Sequence, residues 1–202
     1  MQPSLSYLIC CCERTGSTPL GDALTSIGIA GRPRSYFNRA AHYNPKMHRL
    51  LGTARDDDKY LDRVIVAATT PNGVFGAKVH WAHFLNLVAK TALPAGAPAS
   101  AAERLQRHFP DLRYIYLVRR NAVARAISHY RARKTDRWQL DSRSTTDDAG
   151  GEGKPAFDFD EIESFVRLGE VEELRLRERD LDSDGRGNRP HFLIAALDRP
   201  LS

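Results

Sequence analysis

The feature that most constrains this chain is an apolar run that breaks directly into a polar turn and then a helix signal. Tyr7-Leu8-Ile9-Cys10-Cys11-Cys12 is short and apolar on both faces, the pattern of a buried strand. It runs into Glu13-Arg14-Thr15-Gly16-Ser17-Thr18, a tight polar turn, and then into Pro19 with Leu20, Ala23, Leu24 and Ile27 at helical spacing. Proline suits the first helical turn because its missing N–H is one of the donors left unpaired there. The result is a strand–loop–helix unit with the loop at the helix N-terminus.

Gly28 to Pro33 ends that helix and leads into Arg34-Ser35-Tyr36-Phe37-Asn38. The spacing predicts a helix over 53–67, with Leu61, Val64, Ile65 and Ala68 on one face. Pro71-Asn72-Gly73 turns the chain into a second strand, Val74 to Val79. His83 to Ala92 reads as a helix and 94–100 as a loop. Arg113-Tyr114-Ile115-Tyr116-Leu117-Val118 is the strongest strand, β-branched and aromatic throughout. Arg119-Arg120-Asn121 closes it, and the next helix has Val123, Ala126, Ile127 and Tyr130 as its apolar stripe. Residues 141–155 read as a polar linker, and Phe159 to Leu181 as a highly charged helix. Strands alternating with helices predict an α/β fold, a parallel sheet with helices on both faces. A chain of 202 residues has room for one such domain.

Hydrophobic residues make up 42% of the chain, so it is not compositionally disordered. No apolar run reaches the roughly eighteen residues of a membrane span. The opening Met1-Gln2-Pro3-Ser4-Leu5-Ser6 lacks a basic lead and a long apolar stretch, so the expectation is a cytoplasmic protein without a secretory signal. The net charge of +5 suits a polyanionic small ligand. The arginines are dispersed and no lysine-rich tail exists, so no nucleic-acid partner is expected. Cys10, Cys11 and Cys12 are consecutive and have no distant cysteine to pair with, which excludes a disulfide framework and leaves small strand residues.

A turn rich in Gly, Ser and Thr between strand and helix aims backbone N–H groups at one spot, where the helix dipole favours an anion. Arg14 adds charge-assisted, bidentate bonding capacity, and Ser17 and Thr18 add hydroxyls. The turn is not a Walker A motif, having no Gly-Lys-Ser/Thr, and an ordinary capped helix start has the same spacing. A second basic site lies at Arg119, with Ser128 in the following helix. In a doubly wound sheet both strand ends face one crevice, so a ligand phosphorylated at two positions can bridge them. The alternative for Arg119, Arg120 and Arg125 is a solvated basic face.

Taken together, these two sites resemble a known family. Glu13 to Thr18 is similar to the 5′-phosphosulfate loop of sulfotransferases, and Val118-Arg119 through Ser128-His129-Tyr130-Arg131-Ala132 to their 3′-phosphate site. Gly31-Arg32-Pro33-Arg34-Ser35-Tyr36-Phe37 and Thr70 to Lys78 resemble segments of the trehalose 2-sulfotransferase-like (Stf0-type) family, in the same order. The resemblance covers roughly residues 5–170. It implies a bacterial PAPS-dependent transferase with a P-loop-like three-layer fold and no metal, acting on a hydroxyl of a carbohydrate or other small molecule. PAPS is 3′-phosphoadenylyl sulfate, and its product is PAP. The implied donor contacts are Arg14, Thr15, Gly16, Ser17 and Thr18 on the 5′ side, and Arg119 with Ser128 on the 3′ side. The implied acceptor segment holds Glu13, Arg32, Arg34, Ser35, Tyr36 and Phe37. The family's tendency to dimerise implies a homodimer.

The family's namesake enzyme carries glutamates where this chain has Arg32 and Ser35, the second being its proposed base. A serine hydroxyl is too weak a base to replace a carboxylate near neutral pH. Arg32 instead suits an acceptor with negative charge. Lys78-Val79-His80 resembles the Lys-x-His of eukaryotic cytosolic sulfotransferases, which implies His80 as base and Lys78 as a cation on the transferring group. A structural strand-end histidine is the alternative. His42, His48 and His83 have weaker cases, and Trp81 suits either ring stacking or the core. Residues 1–170 are expected to form the sulfotransferase-like domain. Residues 171–202 are expected to form a divergent or truncated segment, since Leu174 to Ser202 does not follow the family pattern. The alternative to an active enzyme is a weakened paralogue that holds PAPS or PAP without efficient turnover. A P-loop kinase is disfavoured, because no Walker lysine or magnesium carboxylate presents itself.

Overall fold

The computed structural model describes residues 2–38, 45–52, 59–91, 100–138, 156–178 and 192–196. In chain order the elements are β1 (Leu5–Cys11), α1 (Ser17–Ser26), α2 (Pro45–Leu51), α3 (Tyr60–Ala68), β2 (Val74–Val79) and α4 (Trp81–Lys90). They continue with α5 (Ala101–His108), β3 (Leu112–Val118), α6 (Ala122–Thr135), α7 (Phe159–Glu178) and β4 (Phe192–Ala196). The sheet has the order β2-β1-β3-β4 and every pairing is parallel. β1 runs in register with β2 from Leu5↔Val74 to Cys10↔Val79, and with β3 from Ser6↔Leu112 to Cys11↔Leu117. The expected α/β architecture with a parallel sheet flanked by helices is the one observed.

β1 is buried along its whole length after Leu5, because it has a strand on either side and helices over both faces. Its period of two divides the core. Leu8 and Cys10 join the large cluster with Val64 and Ile65 of α3, Phe84 and Leu87 of α4, and Leu105 of α5. Tyr7, Ile9 and Cys11 face the other way, against Leu20 and Leu24 of α1. Truncating a fully buried leucine such as Leu8 to alanine costs about 2–5 kcal/mol in a core of this kind. A third, separate cluster of Ala126, Tyr130, Ile162 and Phe165 joins α6 to α7. The Tyr130 hydroxyl donates to the carbonyl of Ala156 at the entry to α7. α7 also packs against β1 and α4.

The expected β1, β2, β3, α1, α6 and α7 are present, with ends that move by a few residues. α4 begins at Trp81 rather than His83. α3 begins at Tyr60, and 53–58 of the helix expected there lie outside the described residues. So do 94–99 of the expected loop and all of the linker expected over 141–155. α2, α5 and β4 were not expected. α7 passes unbroken through the boundary expected at residue 170, and β4 pairs with β3 from Tyr114↔Phe192 to Val118↔Ala196.

Candidate functional site

β1 sends the chain toward β2, whereas β3 sends it toward the opposite edge of the sheet. The loops after these two neighbouring strands therefore diverge and leave a crevice at their C-terminal ends, the usual ligand position in open parallel sheets. The first loop enters α1 through Gly16, the N-cap, in the left-handed region at φ 87, and no side chain caps the helix. Arg14 is also left-handed, at φ 63. Two left-handed residues around Thr15 fold the backbone back sharply. The Thr15 hydroxyl is buried and donates to the Cys12 carbonyl at 3.0 Å, so this residue builds the turn from inside. Ser17 is buried as well, whereas Thr18 is partly exposed and its hydroxyl accepts from Lys78 Nζ at 3.0 Å.

The basic site after β3 meets this loop directly. Arg14 Nε donates to Ser128 Oγ at 2.9 Å, and its Nη1 donates to the Trp138 carbonyl at 2.5 Å. Arg119 Nη1 donates to the Arg14 carbonyl at 3.5 Å. Burial and the neighbouring Arg119 guanidinium both push Arg14 below the usual arginine range. Two guanidinium groups held this close are stabilised by an anion between them. Arg14, Arg119 and Ser128, which lie far apart in the chain, thus share one crevice.

A second group of ionisable side chains sits beside the loop. His80 leaves the end of β2, and its Nδ1 lies 3.2 Å from Glu13 Oε1. The approach is an ion-pair contact without hydrogen-bond alignment, and both buried ring nitrogens have no hydrogen-bond partner among the described residues. Burial opposes charge on His80, yet Cys11 and Glu13 outweigh it and raise the imidazole to about 10. Burial likewise opposes charge on Glu13, but His80 holds the carboxyl down to about 2. Burial alone pushes the Cys11 thiol up, and His80, Ser17 and Lys78 around it bring it down on balance. His83 stacks on His80 with ring centroids 4.7 Å apart and accepts from the His80 backbone N–H at 3.5 Å. Burial and then the His80 charge lower His83 to about 4, so it is neutral at neutral pH. Burial also lowers Lys78.

Segment 31–37 is tied to the edge of β2 by a parallel bridge between Arg34 and Ala77, and the Lys78 N–H donates to the Arg34 carbonyl at 3.0 Å. The Arg32 guanidinium donates to the carbonyls of Thr69 (2.8 Å) and Ala67 (3.4 Å) at the end of α3. Tyr36 is wholly buried, and its hydroxyl donates to the Arg32 carbonyl at 2.7 Å. Phe37 is in the core, Ser35 is partly buried and Arg34 is exposed. Trp81 is partly buried and stacks on Phe84. His42 lies outside the described residues.

Sequence reasoning did not single out Trp138 or the pairing of Glu13 with His80. Trp138 is engaged through its carbonyl, which any residue could supply, so its side chain gives no signal.

A sequence model of the Stf0 sulphotransferase family matches residues 6–179 of this chain. The chain is 27% identical over 159 residues to the trehalose 2-sulfotransferase of Mycolicibacterium smegmatis, across 66% of this chain and 59% of that protein. It is 26% identical over 163 residues to the trehalose 2-sulfotransferase of Mycobacterium tuberculosis, across 66% of this chain and 58% of that protein. The matches thus span under two thirds of the length of these relatives. With the loop after β1 and the arginine after β3 both inside the matched region, the chain belongs to the Stf0 sulphotransferase family.

Proposed function

We propose that the chain transfers a sulfuryl group from PAPS to a hydroxyl of a small molecule, a sugar or a relative of one. The observation that carries this reading is the meeting of Arg14, Arg119 and Ser128 at one crevice, where a nucleotide phosphorylated at both ends has a partner for each. The uncapped entry to α1 fits the same ligand, because its first N–H groups are not taken up by a side chain. In this reading the loop amides, Arg14 and Thr18 hold the 5′ side, and Arg119 with Ser128 holds the 3′-phosphate. Bound PAPS supplies an activated sulfuryl group whose leaving phosphate gains charge as the bond breaks. Arg14 and Lys78 stabilise that developing charge at fixed positions, which costs no reorganisation during the reaction.

His80 in its neutral form takes the proton from the acceptor hydroxyl, and Glu13 stabilises the imidazolium that results. Beyond the Glu13 ion pair its two ring nitrogens have no hydrogen-bond partner among the described residues, which suits a group whose partner arrives with substrate. Both relatives are named for trehalose. For this chain Glu13, Arg34, Ser35 and the backbone of 31–37 border the acceptor side, and a homodimer accompanies the fold.

A second reading has its own observation. His80 is held in its charged form well above neutral pH, so little of it is free to accept a proton at pH 7. A chain that holds PAP firmly and turns over slowly follows from that. Titrating PAP into the purified chain and then assaying sulfate transfer to a panel of sugars separates the two. Tight binding with turnover that climbs toward alkaline pH supports the enzyme, and binding without turnover at any pH supports the second reading. Absence of PAP binding removes both.

A further inference from the structure

We infer that Gly169 of α7 is a positioning residue for the crevice. It fixes the separation between the loop after β1 and helix α6, and so favours a nucleotide phosphorylated at both ends over one phosphorylated at a single end. The inference rests on the reading given above, with Arg14 and the loop on the 5′ side and Arg119 with Ser128 on the 3′ side.

Gly169 touches both halves of the site. Toward α6, a Cβ built at Gly169 would overlap Nη1, Nη2 and Cζ of Arg125. An arginine at the surface would swing such a group aside. Arg125 is 3% exposed, so its guanidinium is enclosed and the helices must give instead. Toward the sheet, the Gly169 carbonyl accepts from Cys12 Sγ at 3.6 Å, where β1 passes into the loop. Gly169 also continues, one turn further, the buried face on which Ile162 and Phe165 meet Ala126 and Tyr130. The backbone of α7 is thus pressed between α6 and the end of β1.

Each contact leads to one end of the nucleotide. Cys12 carries the loop: its carbonyl accepts from the Thr15 hydroxyl at 3.0 Å, inside the turn whose Arg14 and Gly16 are left-handed. Arg125 lies one turn before Ser128 on α6, and Ser128 Oγ accepts from Arg14 Nε at 2.9 Å. With no side chain at position 169, α7 closes on both partners and holds them at this spacing. An added methyl group wedges α6 away from the loop. The loop keeps its own shape through Thr15, so the change falls on the distance between the two phosphate sites rather than on either site alone.

The test compares PAP with 5′-AMP, which occupies the loop side alone, by calorimetry on the whole chain. In Gly169→Ala, PAP affinity is expected to fall roughly tenfold, the size of one misaligned charge-assisted contact. Affinity for 5′-AMP is expected to stay within about twofold, so the preference for PAP shrinks. Arg125→Met removes the guanidinium and leaves a flexible apolar side chain. In that background Gly169→Ala is expected to change the preference by less than about twofold. Cys12→Ala releases the other contact and is expected to lower the preference by about twofold to threefold. That variant decides the matter should Gly169→Ala not fold. A preference equal to wild type in the deciding variant overturns the inference, and so does an equal loss of affinity for both nucleotides. A wild-type chain that binds PAP no better than 5′-AMP removes the two-ended reading of the crevice, and the inference falls with it.

Discussion

Two helices start at the crevice, α1 after β1 and α6 after β3, and they meet it in opposite ways. α6 is capped in the ordinary manner: Asn121 Oδ1 accepts from the Ala124 N–H at 2.8 Å. Its contributions to the crevice are therefore side chains, Ser128 from the helix and Arg119 from the segment before it. α1 begins at a left-handed glycine with no side-chain cap, and the two residues before Gly16 are a buried threonine and a left-handed arginine. Its contribution is backbone. A cap satisfies a helix end internally, whereas an uncapped end surrounded by arginines is stabilised by an anion from outside. The contrast assigns a different kind of substitution sensitivity to each side.

Arg14 belongs to both sides, and its loss should have the largest effect. Arg14→Ala removes a charge-assisted contact worth about 1.5–3 kcal/mol, so PAP affinity measured by calorimetry should fall roughly tenfold to hundredfold. A change under about twofold would contradict the shared crevice. Next comes Gly16→Ala. A side chain at φ 87 costs about 1–2 kcal/mol, which should weaken PAP binding roughly fivefold to thirtyfold if the turn relaxes away from this geometry. Asn121→Ala should instead lower stability by about 1 kcal/mol in denaturant titration, with PAP affinity changed less than about twofold. If Asn121→Ala weakened PAP binding more than Gly16→Ala, the division between backbone and side-chain recognition would be reversed.

A further effect is electrostatic and is read in stability rather than in PAP affinity. Because the folded His80 midpoint is raised from 6.5 to about 10, its contribution to stability is complete below pH 6.5 and is lost as pH rises toward about 10. Glu13, lowered from 4.5 to about 2, contributes above pH 4.5 and loses that contribution as pH falls toward about 2. The pair therefore stabilises the fold most between pH 4.5 and 6.5. Melting temperatures should decline from pH 6.5 to 10 in wild type and decline less in His80→Gln. Equal slopes would show that the contact carries no net energy.

Much of this architecture was legible because its signals are local. The apolar run of β1, the polar turn, Pro19 and the aromatic β3 each report a backbone preference that needs no distant partner. α5 carries a local signal as well, since Ser100 and Glu103 form a capping box directly after the expected loop over 94–100. β4 does not. Phe192–Ala196 is a short apolar run, and only the open edge of β3 makes it a strand. The acceptor segment shows the reverse limit. Arg32 and Tyr36 suit substrate binding by residue type, but the fold turns Arg32 onto the carbonyls ending α3 and Tyr36 into the core.

From its sequence alone the chain was bound to form a parallel α/β sheet with an anion-ready turn after the first strand, because hydrophobic period and turn chemistry act over a few residues. Which charged groups face one another was decided only by tertiary packing. Arg14 reaches Ser128 and Glu13 reaches His80 because strand order brings their segments together. A side chain's charge is written in the sequence, but its electrostatic energy depends on distances that only the fold determines.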